Sequence, residues 1–507
     1  MNTKSMYKSI YLKSWGRILI AMIISFIFVV SVSRLHPITK AEKDAPLEIF
    51  TAYLDERIPD IMKDYNIPGA NIALVKDGEV IWTEAYGYAD LETGRKMTTD
   101  TYLRVESISK PVTAWGIMKL AEQGKIDLDS PVKQYLKSWS FPESVFSEED
   151  ITVRQLLSHC SGLPLGDFTK RYLPAEEIPS LKDVLSIEAI LEQEPGLSFA
   201  YSNTGFNLLE LLIEEVTGRD FDEYMKQEIL IPLGMYSSGF TWSEKFNPAV
   251  PFGYDLKGKF VPVYIYPEKG SGGLFSTIGD IAAFTVAGMF NLPQKQQELS
   301  LQSINMLYTP MVEKLGVYSN VFESYGLGYY IENLSDGNYA VSHGGQGAGW
   351  MTHFHSVPET GDSIVILTNS QRSWPFIAYL LSDWAEWSGL SEVGMSRIIY
   401  GVYLLWLLIW IIWTYLLLKL CRFVEELITK QRRFSPFSED FLLLRIIQSG
   451  LSIALIAGLL WCIRQDYLFI SSVFPIASVW LGVSILAFAI TMLLLSFFPE
   501  AAKSLVS

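Results

Sequence analysis

Four long apolar runs interrupt the otherwise mixed pattern of hydrophobic and polar positions. The first, at residues 18–33, follows a stretch that carries four basic residues, and it predicts a signal peptide or signal-anchor helix within residues 1–44. Cleavage after Ala41 stays open. Three more runs lie in the C-terminal quarter, at about 398–418, 446–463 and 474–498. Each is close to the roughly 20 residues that cross a bilayer as a helix, so residues 391–507 predict a membrane domain with three transmembrane helices.

Charge beside these runs predicts their orientation. The link at 419–440 carries five basic residues, Lys419, Arg422, Lys430, Arg432 and Arg433, whereas the link around Arg464 carries little positive charge. Because cytoplasmic loops are enriched in Lys and Arg, the 419–440 loop should be cytoplasmic. Residues 45–390 then form an extracytoplasmic domain of a multi-pass protein in a bacterial cytoplasmic membrane.

The pattern within residues 45–390 predicts an α+β fold. Residues 69–86 indicate two strands around Asp77-Gly78, residues 349–356 and 363–367 indicate strands late in the domain, and 204–217 is a clear amphipathic helix. Strands at both ends with helices between them predict one antiparallel sheet flanked by helices, plus a helical subdomain.

Overall charge and cysteine content exclude two classes of protein. The net charge is −15 and no basic stripe is present, which excludes a nucleic-acid binder. Two of the three cysteines, Cys421 and Cys462, fall in or beside predicted membrane spans and the third is Cys160, so the outer domain has no disulfide framework.

Ser107 and Lys110 form a Ser-x-x-Lys motif. On the first turn of a helix this spacing places the hydroxyl and the amine on one face. The same letters occur at Ser5 to Lys8, but the 107 copy follows a β-prone segment at 101–105 and opens an apolar helix. The N-terminus of that helix would direct backbone N–H groups toward charge that develops on a substrate oxygen.

Two further motifs contribute polar groups. Tyr201-Ser202-Asn203 follows Pro-Gly and precedes the amphipathic helix, and we prefer it to the same letters at 318–320, which lie in an ordinary polar loop. His343-Gly344-Gly345-Gln346 lies in a glycine-rich strand edge that lets a substrate backbone approach closely.

Ser-x-x-Lys, Tyr-x-Asn and His-x-Gly, in this order, resemble the class C β-lactamase-like serine hydrolases. That family includes penicillin-binding carboxypeptidases, D-amino-acid peptidases and β-lactamase-like esterases. The resemblance covers about 50–385 and extends to three further segments, Gln155–Pro164, Ile231–Met235 and Gly272–Thr277. It implies a sheet-and-helix domain beside a helical one, with the site in the cleft between them.

The resemblance also implies roles for single residues. Ser107 would become acylated, and Lys110 and Tyr201 would move its proton; which of the two is the base stays open. The backbone N–H groups of Ser107 and Gln346 would hold the oxyanion, while Asn203, His343 and Gly345 would line the substrate site.

No cofactor and no metal are expected. His353 and His355 share a face of a predicted strand, but no carboxylate or cysteine is spaced to complete a metal site with them. His159 fits a structural loop of the family. The expected partners are a small-molecule or peptide substrate and the lipid bilayer; the oligomeric state stays open.

The leading hypothesis is an extracytoplasmic hydrolase of an amide or ester, such as a D-residue-containing peptide or another cell-envelope substrate. One alternative is a prodrug-activating D-amino peptidase of a non-ribosomal peptide pathway, which the three C-terminal helices favour and Arg104 and Gly347 disfavour. Another is a non-catalytic penicillin-recognising sensor. Because His343 replaces a lysine of carboxylate-recognising relatives, we expect poor activity on carboxylate-bearing substrates, rising as the pH falls toward 6.

Overall fold

The computed structural model of the chain describes residues 3–244, 246, 248–290, 298–335, 337–436, 442–465 and 467–500. The chain divides into two compact units. One is Ile38–Ile398, and the other combines Met1–Pro37 with Ile399–Ser507.

The strands lie toward both ends of the first unit. In chain order they are β1 (Gly69–Lys76), β2 (Glu79–Asp90), β3 (Arg95–Lys96), β4 (Leu103–Arg104), β5 (Gly253–Tyr254), β6 (Phe260–Val261), β7 (Phe275–Ser276), β8 (Ser324–Tyr325), β9 (Tyr330–Asn333), β10 (Tyr339–Gln346), β11 (Met351–Val357) and β12 (Asp362–Thr368). Eight of them form one sheet in the order β3-β2-β1-β12-β11-β10-β9-β8, and β4–β7 and β5–β6 form separate pairs. Since every pairing in the large sheet is antiparallel, the predicted fold class is confirmed.

The hairpin of β1 and β2 follows from its turn. Asp77 and Gly78 have φ values of 53° and 78°, and a two-residue hairpin turn of this kind requires positive φ at both central positions. On its other side β1 pairs with β12, with Ala70 opposite Thr368. The strand is therefore central in the sheet, which explains why seven of its eight residues are buried.

Helices occupy the middle of the first unit and nearly all of the second. In chain order they are α1 (Thr3–Ser33), α2 (Leu47–Tyr65), α3 (Ser109–Glu122), α4 (Val153–Leu157), α5 (Leu181–Glu188), α6 (Asn203–Thr217), α7 (Phe221–Met225), α8 (Ile278–Ala287), α9 (Leu301–Tyr308), α10 (Trp374–Trp387), α11 (Arg397–Ile428), α12 (Leu442–Arg464), α13 (Phe469–Val473) and α14 (Ala477–Phe497). The predicted amphipathic helix is α6. It begins where the Ser202 hydroxyl accepts a hydrogen bond from the Gly205 N–H and ends at Gly218, whose φ is 67°.

Helices that are long and apolar enough to cross a membrane lie in the second unit, except that one of the segments begins at the last residues of the first. Within the described residues there are four such segments: Gly16–Ser33, Gly394–Ile428, Leu442–Arg464 and Ala477–Phe497. They include the three predicted C-terminal runs and the N-terminal one. The predicted start of a loop at 419 is wrong, because α11 continues to Ile428. Arg422 pairs with Glu426 one helical turn later, at 2.6 Å, and such a pair favours helix.

α1 packs against α11 within this unit. The Ser25 and Thr414 hydroxyl oxygens are 2.7 Å apart, and the Trp410 indole N–H donates to the carbonyl of Met22 at 3.2 Å. Phe28 contacts Trp413 edge to face, with ring centroids 5.1 Å apart. Polar side chains on these apolar helices thus find partners on the neighbouring helix.

Candidate active site

Ser107 lies in a tight turn that connects β4 to α3. The sequence placed it on the first turn of an α-helix, but Glu106–Ile108 form a 3₁₀ turn and α3 begins two residues later. Ser107 and Lys110 are three positions apart across the junction of this turn with α3. The Lys110 Nζ is 3.1 Å from the Ser107 Oγ, as the motif predicted.

Lys110 is fully buried and has three polar neighbours. Besides Ser107, its Nζ lies 2.7 Å from Asn203 Oδ1 and 2.9 Å from the carbonyl oxygen of Ser271. Burial lowers the pKa of Lys110 well below its usual value, and the nearby Glu106 carboxylate opposes that shift. The site thus favours a neutral amine at this position.

Glu106 is a residue of this site that the sequence did not indicate. It is a non-glycine residue with φ of 51°, next to the nucleophile candidate. Its carboxylate is buried, 2.8 Å from Arg104 Nε, and accepts a hydrogen bond from the Tyr264 hydroxyl at 3.0 Å. These partners hold a strained turn in place. A lone glutamate beside the motif carries no recognisable signal, which is why it was missed.

The Gly272–Thr277 segment supports the same turn from the other side. Its strand β7 pairs with β4, and the N–H of Val105 donates to the Leu274 carbonyl at 3.1 Å. The Leu274 N–H in turn donates to the Ser109 hydroxyl at 3.0 Å. This family segment therefore positions the Ser107 turn.

The Tyr201-Ser202-Asn203 turn brings its side chains to Lys110. The Ser202 hydroxyl donates to the Pro164 carbonyl at 2.6 Å, and Asn203 is the first residue of α6. Lys110 Nζ lies 4.9 Å from the centroid of the Tyr201 ring, and Tyr201 hydrogen-bonds Ser107. Of the two candidate copies this one contacts the lysine. Tyr318 of the other copy packs against Tyr201, with ring centroids 5.7 Å apart.

Burial keeps Tyr201 protonated, and a hydrogen bond from the backbone of this turn to His159 holds the turn in position. Burial raises the pKa of Tyr201, so its hydroxyl keeps its proton at neutral pH. His159 is buried beneath it, 4.3 Å between ring centroids, and its Nδ1 accepts a hydrogen bond from the Ser202 N–H at 3.1 Å. His159 positions the turn, in agreement with the structural role inferred for its loop.

Strand β10 passes beside the nucleophile turn. β9 pairs with β10 over Tyr339–Ser342, and in the described part of the chain no pairing with β9 continues beyond Ser342. A Cβ on Gly345 would lie 2.2 Å from the Val105 carbonyl oxygen and 2.3 Å from Thr352 Oγ1. The absence of a side chain at Gly345 thus lets β10 approach the turn, and the approach of a substrate backbone to this glycine stays a prediction.

His343 is not among the residues that line the pocket around Ser107. It is 1% exposed, its Nε2 lies 3.3 Å from the Tyr325 hydroxyl, and Tyr330 packs against its ring. Burial, with a smaller effect of Lys110, lowers the pKa of His343 to about 3. The imidazole is therefore neutral at pH 6 as well as pH 8, and the expected rise of activity on carboxylates toward pH 6 has no support from this residue.

An open pocket of about 430 Å³ contains Ser107. It is lined by Glu106, Ser107, Gly166, Asp167, Phe168, Glu188, Asn203, Asn207, Tyr266, Glu268, Ser271, Gly272 and Gln346. Ser107, Asn203 and Gln346 are thus brought to one pocket, with Lys110 and Tyr201 next to it.

The two strand histidines do have a carboxylate neighbour. Glu332 Oε1 lies 2.9 Å from His355 Nε2, a carboxylate that the spacing in the sequence did not indicate as a possible third member of a metal site. His353 stacks beside His355, with centroids 5.8 Å apart. Across the described residues no three His, Cys, Asp or Glu side chains are grouped so that they could hold a metal ion.

Comparison with known proteins adds four findings. Residues 54–380 match the family model described as "Beta-lactamase". Protein flp of Staphylococcus aureus (strain N315) is 28% identical over 325 residues, which cover 62% of this chain and only 62% of that relative. An octameric penicillin-binding protein homologue from Pyrococcus abyssi is similar in structure, with a TM-score of 0.59 and 28% identity over 70% of this chain and 81% of that one. A class C β-lactamase shares the fold, with a TM-score of 0.52 and 20% identity over 65% and 94% of the two chains.

Proposed function

Because this chain belongs to the β-lactamase family of serine hydrolases, we propose that it hydrolyses an amide or ester outside the cytoplasmic membrane through an acyl-enzyme on Ser107. The observation that carries the proposal is the 3.1 Å contact between Ser107 Oγ and a buried lysine amine. An activated nucleophile requires a base within hydrogen-bond reach, and Lys110 meets that condition.

We infer that Lys110 is the base and that Tyr201 is a hydroxyl that relays or donates a proton. Burial lowers the pKa of Lys110 and raises the pKa of Tyr201, so the amine is neutral more readily than the phenol is ionised. A neutral amine has two N–H donors and one lone pair. Since Asn203 Oδ1 and the Ser271 carbonyl can only accept, they take the two donors, and the lone pair faces Ser107.

The reaction then proceeds in two acyl transfers. Ser107 Oγ bonds to the substrate carbonyl carbon while its proton passes to Lys110, and the carbonyl π pair becomes an oxyanion beside the backbone N–H groups of Ser107 and Gln346. The oxyanion collapses, the bond to the leaving group breaks, and that group takes the proton from Lys110, with the Tyr201 hydroxyl as the relay. A water molecule repeats these steps on the ester and frees Ser107.

The membrane part of the proposal rests on the second unit. Four helices of sufficient length and apolar character support anchoring in the bacterial cytoplasmic membrane, and the basic residues after α11 support a cytoplasmic position for the segment that follows it. The same three C-terminal helices favour the prodrug-activating D-amino peptidase as a second candidate.

Covalent labelling tests the proposal. The full-length protein in detergent is treated with a fluorophosphonate, and intact-mass and peptide mass spectrometry locate the adduct. We expect one adduct, on Ser107, none in Ser107→Ala, and unchanged labelling in the control Ser319→Ala of the loop at 318–320. An adduct that persists in Ser107→Ala on another serine would overturn the assignment.

A further inference from the structure

The wall of the Ser107 pocket is rich in carboxylates. Glu106, Asp167, Glu188 and Glu268 line it, and no lysine, arginine or histidine is among its lining residues in the described part of the chain. Pockets lined by one sign of charge attract ligands of the opposite sign. Some of these carboxylates are neutralised by basic residues of the protein itself. A ligand needs to supply a positive charge only for the others.

Two of the four carboxylates already have cationic partners. Glu106 pairs with the buried Arg104 at 2.8 Å, and Asp167 Oδ2 lies 3.4 Å from the exposed Lys170. Neither pair leaves a net charge.

Glu188 and Glu268 are not compensated in this way. Both are partly buried, and among the ion pairs of the described residues none includes either of them. Burial is the main reason why the pKa of Glu268 is raised to about 7; the neighbouring Glu188 and Asp167 contribute to the rise, and Lys170 opposes it. Lys110 does not offset these charges, because its burial favours the neutral amine. Among the described residues, the pocket therefore holds two carboxylates that form no ion pair; Lys170 acts on both from a distance, but it is paired with Asp167.

Asn207 adds an independent observation on the same wall. It lines the pocket one helical turn after Asn203 on α6, and it is 4% exposed. Its side-chain oxygen has no hydrogen-bond partner among the described residues. A buried acceptor without a donor costs free energy, which a ligand N–H group would recover.

We propose that the substrate of this site carries a protonated amine near its scissile carbonyl, and that Glu188, Glu268 and Asn207 bind it. The inference rests on the proposed function, because the amine is placed relative to Ser107. A primary ammonium has three N–H donors, one for each of the two carboxylates and the amide oxygen, and its charge is opposite in sign to that of the carboxylates. A metal ion fits less well, since the described carboxylates do not form a metal-binding group. Free carboxylates near the scissile bond would be repelled.

Matched substrates that exchange an ammonium for a methyl group test the proposal. On the acyl side, D- and L-alanyl p-nitroanilide are compared with isobutyryl p-nitroanilide at pH 7, where an α-amino group of pKa about 8 is mostly protonated. On the leaving-group side, N-benzoylethylenediamine is compared with N-propylbenzamide. We expect kcat/KM to favour the ammonium compound at least tenfold in one of the two series, which identifies the side that the amine occupies. Ratios near one in both series would overturn the proposal.

Variants then connect the preference to the named residues. Glu188→Gln and Glu268→Gln should each reduce the ratio of ammonium to methyl substrate at least threefold, and the ratio within one variant cancels any general loss of activity. Glu194→Gln is the matched control, because Glu194 is exposed in the same region and outside the pocket, and its ratio should equal that of the wild type. A ratio that stays high in both pocket variants would overturn the assignment of these residues.

A binding readout separates this proposal from the function itself. Alanine amide should slow fluorophosphonate labelling of Ser107 at lower concentration than isobutyramide does, and this measurement requires no turnover. Normal labelling with equal protection by both amides would overturn the amine site without contradicting the proposed serine hydrolase function. Absence of labelling in the folded wild-type protein would overturn the proposed function, and the amine site with it.

Discussion

Replacement of Gly345 by alanine should disable the nucleophile turn from the neighbouring strand. The new Cβ would lie 2.2 Å from the Val105 carbonyl oxygen, 2.3 Å from Thr352 Oγ1 and 2.9 Å from the Glu106 Cβ. The Val105 carbonyl belongs to the backbone and cannot rotate away as a flexible side chain can. To restore normal contact distances to the new Cβ, β10 and the turn must therefore separate by roughly 1 Å. Overpacking of this kind costs about 1–3 kcal/mol of folding stability.

The effect on reactivity should exceed the effect on stability. A displacement of about 1 Å at a catalytic group lowers reaction rates on the order of 100-fold. We therefore expect Gly345→Ala to remain folded, with a lowered melting temperature, and to react with a fluorophosphonate about 100 times more slowly than the wild type. The rate of adduct formation is followed by intact-mass spectrometry, and folding by near-UV circular dichroism.

Gly344→Ala is the matched control on the same strand. Its Cβ would meet His353 Nδ1 at 3.2 Å, the Thr352 carbonyl at 3.4 Å and Trp374 at 3.5 Å, which are tight but tolerable contacts. Its labelling rate should stay within a few-fold of the wild type. Equal rates for Gly345→Ala and the wild type would refute the argument that Gly345 maintains the turn, and a loss confined to Gly344→Ala would refute it too.

Three further predictions concern the base, the buried histidine and the topology. Lys110→Met should lower the labelling rate by about 10²–10⁴-fold. Wild-type labelling should fall as the pH drops through the lowered pKa of Lys110, because protonation removes the base; an unchanged labelling rate in Lys110→Met would contradict this assignment. Since the pKa of His343 is about 3 when folded and about 6.5 when unfolded, the unfolded state binds the extra proton below pH 6.5 and stability falls between pH 6.5 and about 3. Between pH 7 and 5 the melting temperature of His343→Gln should fall less than that of the wild type. An unchanged dependence of melting temperature on pH would argue against a buried neutral histidine. In a variant whose three native cysteines are serine, Lys430→Cys should resist a membrane-impermeant thiol reagent in intact cells while Glu177→Cys reacts, and the opposite pattern would reverse the topology.

Much of the fold could be predicted because its signals are local. The Asp77-Gly78 turn, the amphipathic period of α6 and the apolar runs at the C-terminus each depend on neighbouring residues. The antiparallel sheet followed from the position of strands at both ends of the domain. The end of α11 could not be placed, because basic residues after an apolar run suit a loop and a helix equally; in the structure the helix continues, and the pair of Arg422 with Glu426 is consistent with that.

The candidate site was only partly predictable for a different reason. Ser107, Lys110, Tyr201 and Asn203 were named because they form motifs, and the structure brings their side chains together. Glu106 and Ser271 were missed, since one acts through a buried ion pair and the other through its backbone carbonyl, and neither leaves a pattern in the sequence. For His343 the residue was identified but its burial was not, and burial is what sets its pKa.

The pairing of β1 with β12 has a consequence for how the protein is made. These two interior strands of the sheet are separated by about 300 residues, so the sheet cannot close until the ribosome has synthesised nearly the whole domain. At about 5–20 residues per second this interval is roughly 15–60 s. During it β1 and β2 present an unpaired apolar edge, which is prone to aggregate. If the domain is exported during synthesis, it has to cross the membrane in an incomplete state, and we expect its yield in cells to depend on extracytoplasmic chaperones that hold this edge.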